Sequence, residues 1–235
     1  MAHLDHVGCD PALPGDRIFN GAMDNAAGTA AMLEAARGFV ESGVRPRRSI
    51  LFAAVTAEEK GLLGSAYLAR YPVVGAGKVV GVVNLDMPVL LYDFHDVVAF
   101  APSIRPWGRS SRAPRAERAS RSRPIRCRRR ICSSRSDHYS FVRAGVPSVF
   151  LVTGFENGGK EAFEKFLATT YHQVGDDIGQ PFDWQAGAKF ARINYLIARE
   201  IADGDEPPRW YQGNPYGDRF APGQPRAPRP EARTP

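Results

Sequence analysis

The sequence predicts an α/β domain, a three-layer αβα arrangement whose twisted central sheet is mainly parallel. Three observations carry this. Short apolar runs alternate with helix-patterned segments through the first half of the chain. The same rhythm returns after position 136. A chain of 235 residues with 43% hydrophobic content is long and apolar enough for one buried core. Parallel strands need crossover connections, and helices supply them, so both faces of the sheet are expected to be covered.

Asp24 to Gly43 reads as a helix, because Met32, Leu33, Ala36 and Val40 recur at helical spacing and Gly43 ends the run. Ser49 to Val55 (SILFAAV) is a short apolar run, read as a buried strand. Leu62 to Tyr71 is helix-like and stops at Pro72, and Val79 to Leu85 (VVGVVNL) is a second buried strand. Residues 101 to 134 show neither period. Beyond them, Asp137 to Ala144 reads as a short helix, Pro147 to Thr153 as a strand, Glu161 to Ala168 as a helix and Trp184 to Ala202 as a long closing helix. A single folded domain is therefore expected over 1–202. Residues 203–235, rich in Pro, Gly and Arg, read as an extended tail ordered around Trp210 and Tyr211.

The net charge of +6 by itself suggests a polyanion partner. Residues 105 to 135 hold twelve of the 31 Lys and Arg with one acid, Glu117, so the rest of the chain carries a charge of −5. The basic character belongs to one segment. With Trp107 as its only aromatic, that segment lacks the stacking residues of a single-strand binder, and no nucleic-acid partner is expected. No apolar run approaches the ~20 residues of a membrane span, and no signal peptide is legible at the start. Compartment and oligomeric state stay unassigned. Three cysteines without a spacing framework argue against a disulfide scaffold.

Histidines and acids stand where strands should end: His3 and Asp5, Asp24 before a helix, Glu58 and Glu59 after SILFAAV, Asp86 after VVGVVNL, and His172 in a later loop. In parallel α/β sheets, sites form outside the carboxyl ends of the strands, so these segments can converge. Imidazole and carboxylate without thiolate suit catalytic zinc. Two ions about 3.5–4 Å apart need a bridging carboxylate and terminal ligands, and the candidates are numerous enough, with one acid left over as a base. Adjacent carboxylates such as Glu58 and Glu59 repel each other unless cations compensate. In His3-x-Asp5 the two side chains share a strand face, so the Asp5 carboxylate is expected to accept the second ring N–H of His3. Taken singly, each residue has a bland explanation: a helix cap at Asp24, a solvated turn at Glu58-Glu59, an exposed loop histidine at His172.

The stretches AHLDHVG (2–8), NGAMDNAAGTAAMLEAAR (20–37), AAVTAEEKGLLGSAYL (53–68), VVNLDM (82–87), SDHYSFVRAGVPSVFL (136–151) and YHQVGDD (171–177) together resemble the M28 family of zinc peptidases, of the bacterial leucyl-aminopeptidase type. The resemblance implies a zinc-exopeptidase fold, two Zn2+ ions and peptide substrates. It implies that His3 and Asp86 bind one zinc, Glu59 and His172 the other, and that Asp24 bridges them. Glu58 would be the general base and Asp5 the residue orienting His3. Asp137 and His138 fall in a recurrent family stretch and are possible cleft residues. Related enzymes of the same fold are carboxypeptidases, dipeptidases and glutaminyl cyclases, and an inactive, shortened homologue is a further alternative.

Two features depart from the family. Members usually have strands and a helix ahead of the His-x-Asp strand, so the chain reads as N-terminally truncated. Residues 101 to 134 read as a frameshifted segment. One choice of GC-rich codons for Pro124–Ser134, read two bases later, gives Asp-Pro-Met-Pro-Glu-Glu-Asn-Leu-Phe-Val, a phrase of ordinary composition; the coding DNA decides the matter.

Overall fold

The computed structural model describes residues 1–74, 77–100, 126–130 and 134–229. The strands are β1 (Ala2–His3), β2 (Gly8–Cys9), β3 (Ile18–Phe19), β4 (Ala54–Val55), β5 (Val82–Leu85), β6 (Asp96–Phe100), β7 (Arg126–Arg130) and β8 (Ser148–Thr153). The helices are α1 (Ala27–Glu41), α2 (Leu63–Arg70), α3 (His138–Arg143), α4 (Gly159–Thr169), α5 (Trp184–Asp203) and α6 (Pro215–Phe220).

Four strands form a sheet in the order β5-β8-β6-β7, parallel except where β6 runs antiparallel to β8. β1 pairs in parallel with β4. Met1 ties this pair to β5: its amino group donates to the Val83 carbonyl (2.7 Å), and Leu85 N–H donates to the Met1 carbonyl (2.9 Å). That is the hydrogen-bond pattern of a parallel ladder, and it sets the β4-β1 pair beside β5 at the edge of the four-stranded sheet. β2 and β3 form a separate small hairpin.

Side-chain alternation gives the layers. Val97 and Ala99 of β6 and Val149 and Leu151 of β8 face one core, with Met32 of α1, Phe166 of α4 and Phe190, Ile193 and Ile197 of α5. Val98, Phe150 and Val152 face the opposite side. Both predicted faces are thus covered, and the α/β class expected from the strand–helix rhythm is the one observed. α5 starts at a capping residue, Asp183, whose carboxylate accepts the Ala186 N–H (2.9 Å).

Four local expectations need correcting. The helix read from Asp24 begins at Ala27. Asp24 (φ −115°, ψ 83°) and Asn25 (φ −142°, ψ 35°) are non-helical because their groups bond to distant segments instead. The strand read over 49–55 pairs only at Ala54–Val55. Leu51 and Phe52 are 48% and 37% exposed, since beyond Met1 the walls at 49–53 and 78–81 part around an apolar cleft of about 520 Å³. For the same reason the strand read from Val79 starts at Val82. In the stretch expected to lack structure, the main chain of 126–130 pairs with β6; a ladder of backbone hydrogen bonds needs no side-chain period. The rest of the suspected frameshift, 101–125 and 131–133, lies outside the described residues.

The tail is more ordered than its composition suggests. Trp210 is fully buried against Val142 and Ala221, and its indole N–H donates to the Gly145 carbonyl (2.9 Å). Arg226 holds the carbonyls of Gly217 (2.8 Å) and Ala221 (2.9 Å). Among the described residues no helix is long and apolar enough to cross a membrane.

Candidate metal centre

The sequence-predicted ligands come together at the carboxyl ends of β1, β4 and β5. His3 closes β1 and is 1% exposed. Its Nδ1 meets the main-chain carbonyl of Asp5 (2.9 Å), so Nδ1 carries the proton and Nε2 is free to ligate. Nε2 stands 3.2 Å from Asp24 Oδ1 and 3.3 Å from Asp86 Oδ1. On the other side of Asp24, His172 Nε2 stands 3.3 Å from Asp24 Oδ2 and 3.1 Å from Glu59 Oε2. The two oxygens of Asp24 therefore face two different groups of ligand atoms.

The role expected of Asp5 is divided differently. Its carbonyl, not its carboxylate, holds His3. Both carboxylate oxygens accept the Ala57 N–H (3.0 and 2.8 Å). A two-residue offset lets one residue reach back to the ring through its main chain while its side chain reaches β4's exit. Ala57 sits at φ 55°, and Gly61 and Leu62 donate to the Glu58 carbonyl (both 2.9 Å), so Asp5 fixes the turn that presents Glu58 and Glu59.

Three buried polar residues position the carboxylates, and sequence reasoning did not single them out. Asp176, fully buried, accepts the N–H of Met23 (2.8 Å) and of Asp24 (3.0 Å). Asn25 donates to the Leu85 carbonyl (3.0 Å) and accepts from Gly28 N–H (3.1 Å) and Met87 N–H (3.2 Å), joining the Asp24 turn to the exit of β5. A Cβ on Gly28 would lie 2.0 Å from Asn25 Oδ1, so this joint needs glycine. Ser136 donates to Asp86 Oδ2 and accepts from Asn84 Nδ2 (2.6 Å). His6 was also passed over: its Nδ1 is 2.9 Å from Glu59 Oε1. Its signal was a second histidine three residues after His3.

Asp137 and His138 are fully buried, so they stand behind the cleft rather than open to it. The ring of His138 packs at 5.0 Å on Phe150. Asp137 is electrostatically coupled to His3 and Asp86.

The electrostatics are those of a site built for positive charge. Burial works against a charge on His3, but the hydrogen bonds to Asp24 and Asp86 outweigh it and push the ring up to about 12. Burial likewise opposes charge on His6, and the Glu59 and Asp24 carboxylates raise it nonetheless. Burial, with repulsion from Asp86 and Glu59, raises Asp24 against its contact with His3. Burial and the Asp86 carboxylate push Glu58 up to about 8. A proton on His3 occupies the place that a cation would fill among these oxygens.

The donors fit divalent ions. His6, Asp24, Glu59 and His172 each offer a ligand atom, all within 4.8 Å of one another, and so do His3, Asp24 and Asp86. The profile of peptidase family M28 matches residues 1–198. The chain belongs to this family. A "probable zinc metalloprotease" of Pyrenophora tritici-repentis is 25% identical over 221 residues, covering 80% of this chain and 45% of the relative. A zinc aminopeptidase from Bacillus subtilis superposes with a TM-score of 0.59 at 25% identity, over 87% of this chain and 46% of the other. The Legionella pneumophila LapA aminopeptidase gives 0.60 at 22% identity, over 87% and 51%. The chain thus spans about half the length of each of these proteins.

Proposed function

We propose that this chain is the catalytic core of a two-zinc exopeptidase that removes N-terminal residues from peptides. The observation that carries the reading is the division of Asp24: one oxygen faces His3 and Asp86, the other faces Glu59 and His172. A bridging carboxylate between two sets of terminal ligands is what a pair of divalent ions requires.

His3 and Asp86 would hold one ion, Glu59 and His172 the other, with Asp24 shared. Bound zinc supplies Lewis acidity toward a peptide carbonyl and lowers the pKa of water. Glu58 is the base in this reading. It follows the Asp5-held turn, and its carboxyl feels the charges of Asp86, His3, Asp137 and Glu59. Positive charge there would bring its carboxyl down from about 8 into the range where it accepts a proton near neutrality. Glu58 would then return that proton to the leaving amine. Asp5 contributes by orienting His3 through its carbonyl and the Glu58 turn through its carboxylate.

The test combines zinc analysis with two substrates: an aminoacyl anilide with a free amine, and an N-blocked peptide with a free carboxyl end. Two zinc ions per chain and hydrolysis of the anilide are expected. Hydrolysis confined to the blocked peptide would replace the aminopeptidase reading by a carboxypeptidase one.

A further inference from the structure

β1 runs between β4 and β5, and beyond Met1 these two neighbours part around the apolar cleft of about 520 Å³. We propose that this cleft is a docking slot for an extended strand of another polypeptide. The strand would have about four consecutive apolar residues preceded by an acidic one, run parallel to both walls and end at Met1. The proposal concerns a surface apart from the metal centre and does not depend on it.

The walls are two open strand edges. Ala53 and Val55 turn their carbonyls toward β1, accepting from Ala2 N–H (3.1 Å) and Leu4 N–H (2.9 Å). On the other side the Val83 carbonyl accepts from the Met1 amino group, and Leu85 N–H donates to the Met1 carbonyl. Alternate residues of a strand point their main-chain groups the same way. Residues 49 and 51 on one wall, and 79 and 81 on the other, thus aim N–H and C=O into the cleft. Among the described residues, 49–52 and 78–81 make no main-chain to main-chain hydrogen bond. An unpaired edge is a template for another strand, and here two edges face each other, so an incoming strand is bonded on both sides.

The register sets direction and reach. Ala2 pairs with Ala54, and Met1 bonds to Val83 and Leu85, so Met1 lies opposite Ala53 and Asn84. The next four places along the line of β1 lie opposite 49–52 and 80–83. At about 3.3 Å per residue they span about 13 Å. A strand that continues the parallel pairing of β1 points its C-terminal end at Met1, and β1 itself stops it there.

The lining sets the chemistry. On one face stand Met32 of α1 and Ile201 of α5; on the other stand Leu68 of α2 and Phe141 of α3, the helix whose His138 packs on Phe150. Side chains of a strand alternate between faces, and both faces are apolar, so consecutive residues must be apolar. The exposed Leu51 and Phe52 would be covered by the same strand. Arg48 and Lys78 stand at the outer mouth, where the walls begin. Arg48 is held by the carbonyls of Ile201 and Gly204, and neither charge meets a carboxylate among the described residues. An acidic residue ahead of the apolar run answers them.

Fluorescence anisotropy tests the slot with the peptide Asp-Val-Ile-Val-Val amide, dye-labelled at its amino end and so protected from the proposed exopeptidase. Saturable binding of one peptide per chain is expected, with a raised urea midpoint. The same peptide N-methylated at two central amides keeps its apolar side chains and loses two donors, so it should bind at least about fivefold more weakly. Equal binding would mean apolar adsorption and overturn the proposal. Leu51→Asp places a charge on one wall at a half-exposed position and should weaken binding at least tenfold; parental affinity overturns the slot. Should that variant not fold, Lys78→Glu at an exposed position serves: it should weaken the Asp peptide relative to one with Lys in place of Asp, and an unchanged ratio overturns the proposal. No saturable binding of the free peptide also overturns it, and a raised midpoint when the same residues are fused ahead of Met1 would then assign the slot to a strand in cis.

Discussion

Asp176→Asn changes one atom in a side chain that touches no predicted ligand side chain, yet it should impair the whole site. Asp176 Oδ1 accepts from Met23 N–H (2.8 Å) and Gln180 Nε2 (2.6 Å), and Oδ2 accepts from Asp24 N–H (3.0 Å). An amide group can be placed in two ways. With its nitrogen at the Oδ2 position it faces the Asp24 N–H; with its nitrogen at Oδ1 it faces the Met23 N–H. Either way one main-chain donor of the bridging turn loses its acceptor inside the protein, where residue 176 is fully buried. A hydrogen bond to a charged group is worth about 1.5–3 kcal/mol, and a buried donor left unmet costs about 1–3 kcal/mol. The sum is about 2.5–6 kcal/mol, a large share of the ~5–15 kcal/mol of a typical domain. Urea denaturation in the presence of a chelator measures it, and zinc titration measures the consequence at Asp24, expected as a loss of at least about tenfold in affinity. Asp177→Asn is the control, since the Asp177 carboxylate accepts from Gly179 N–H within its own loop. If Asp176→Asn kept the parental midpoint and bound zinc like the parent, the anchoring of Asp24 by Asp176 would be wrong.

Ser136→Ala removes the donor to Asp86 Oδ2 and strands Asn84 Nδ2, so zinc affinity should fall by about 10–100-fold with the stoichiometry intact; unchanged affinity refutes the positioning role. Asp137 is raised by burial from its ordinary 3.8 to about 6. Its contribution is therefore fully present below the unfolded value and is lost as pH rises through about 6, up to about 3 kcal/mol in all. Asp137→Asn should lessen the fall in stability of the metal-free chain between about pH 4 and pH 6, leaving the part due to Glu58 and Asp24; a parental pH slope in chemical denaturation would contradict this. Trp210→Ala should cost about 3–5 kcal/mol in urea denaturation, because it empties a buried site and frees the Gly145 carbonyl, and a cost below about 1 kcal/mol would show that 210–227 do not support α3.

The parts of this protein legible in its sequence are those set by period and by local chemistry. Met32 and Val149 announce their elements because a helix face and a buried strand impose spacing on apolar residues. His3, Asp24, Glu59, Asp86 and His172 are legible because their residue types share one chemistry, and all but His172, which lies in a loop, close or follow a strand or precede a helix. The supporting residues carry no such mark. Nothing local separates Asp176 from its neighbour Asp177, yet one is fully buried beneath Asp24 and the other caps its own loop. Asn25 works by reaching Leu85, sixty residues away, and Ser136 by reaching Asp86, fifty away. The expected side-chain contact between Asp5 and His3 failed for a related reason. Strand alternation puts the two on one face, but beyond β1 the chain leaves the strand and the carbonyl arrives first.

The same features make folding and metal binding one problem. Asp24, Glu58, Glu59 and Asp86 converge from two strand exits and a turn, with Asp137 behind them, and like charges this close oppose the assembly of the segments that carry them. Main-chain and side-chain hydrogen bonds from Asp176, Asn25, Ser136 and Asp5 hold each segment to its place, and none of them neutralises a carboxylate. His3 relieves part of the repulsion by taking up a proton, which is why its ring is pushed up to about 12. A divalent pair would replace that single proton by four positive charges spread over both oxygens of Asp24. Zinc at a hundredfold excess over its dissociation constant adds about 2.7 kcal/mol per site to the folded state. The β1–β4 ladder is only two residues long, so metal held between the exits of these strands would add to the fold there.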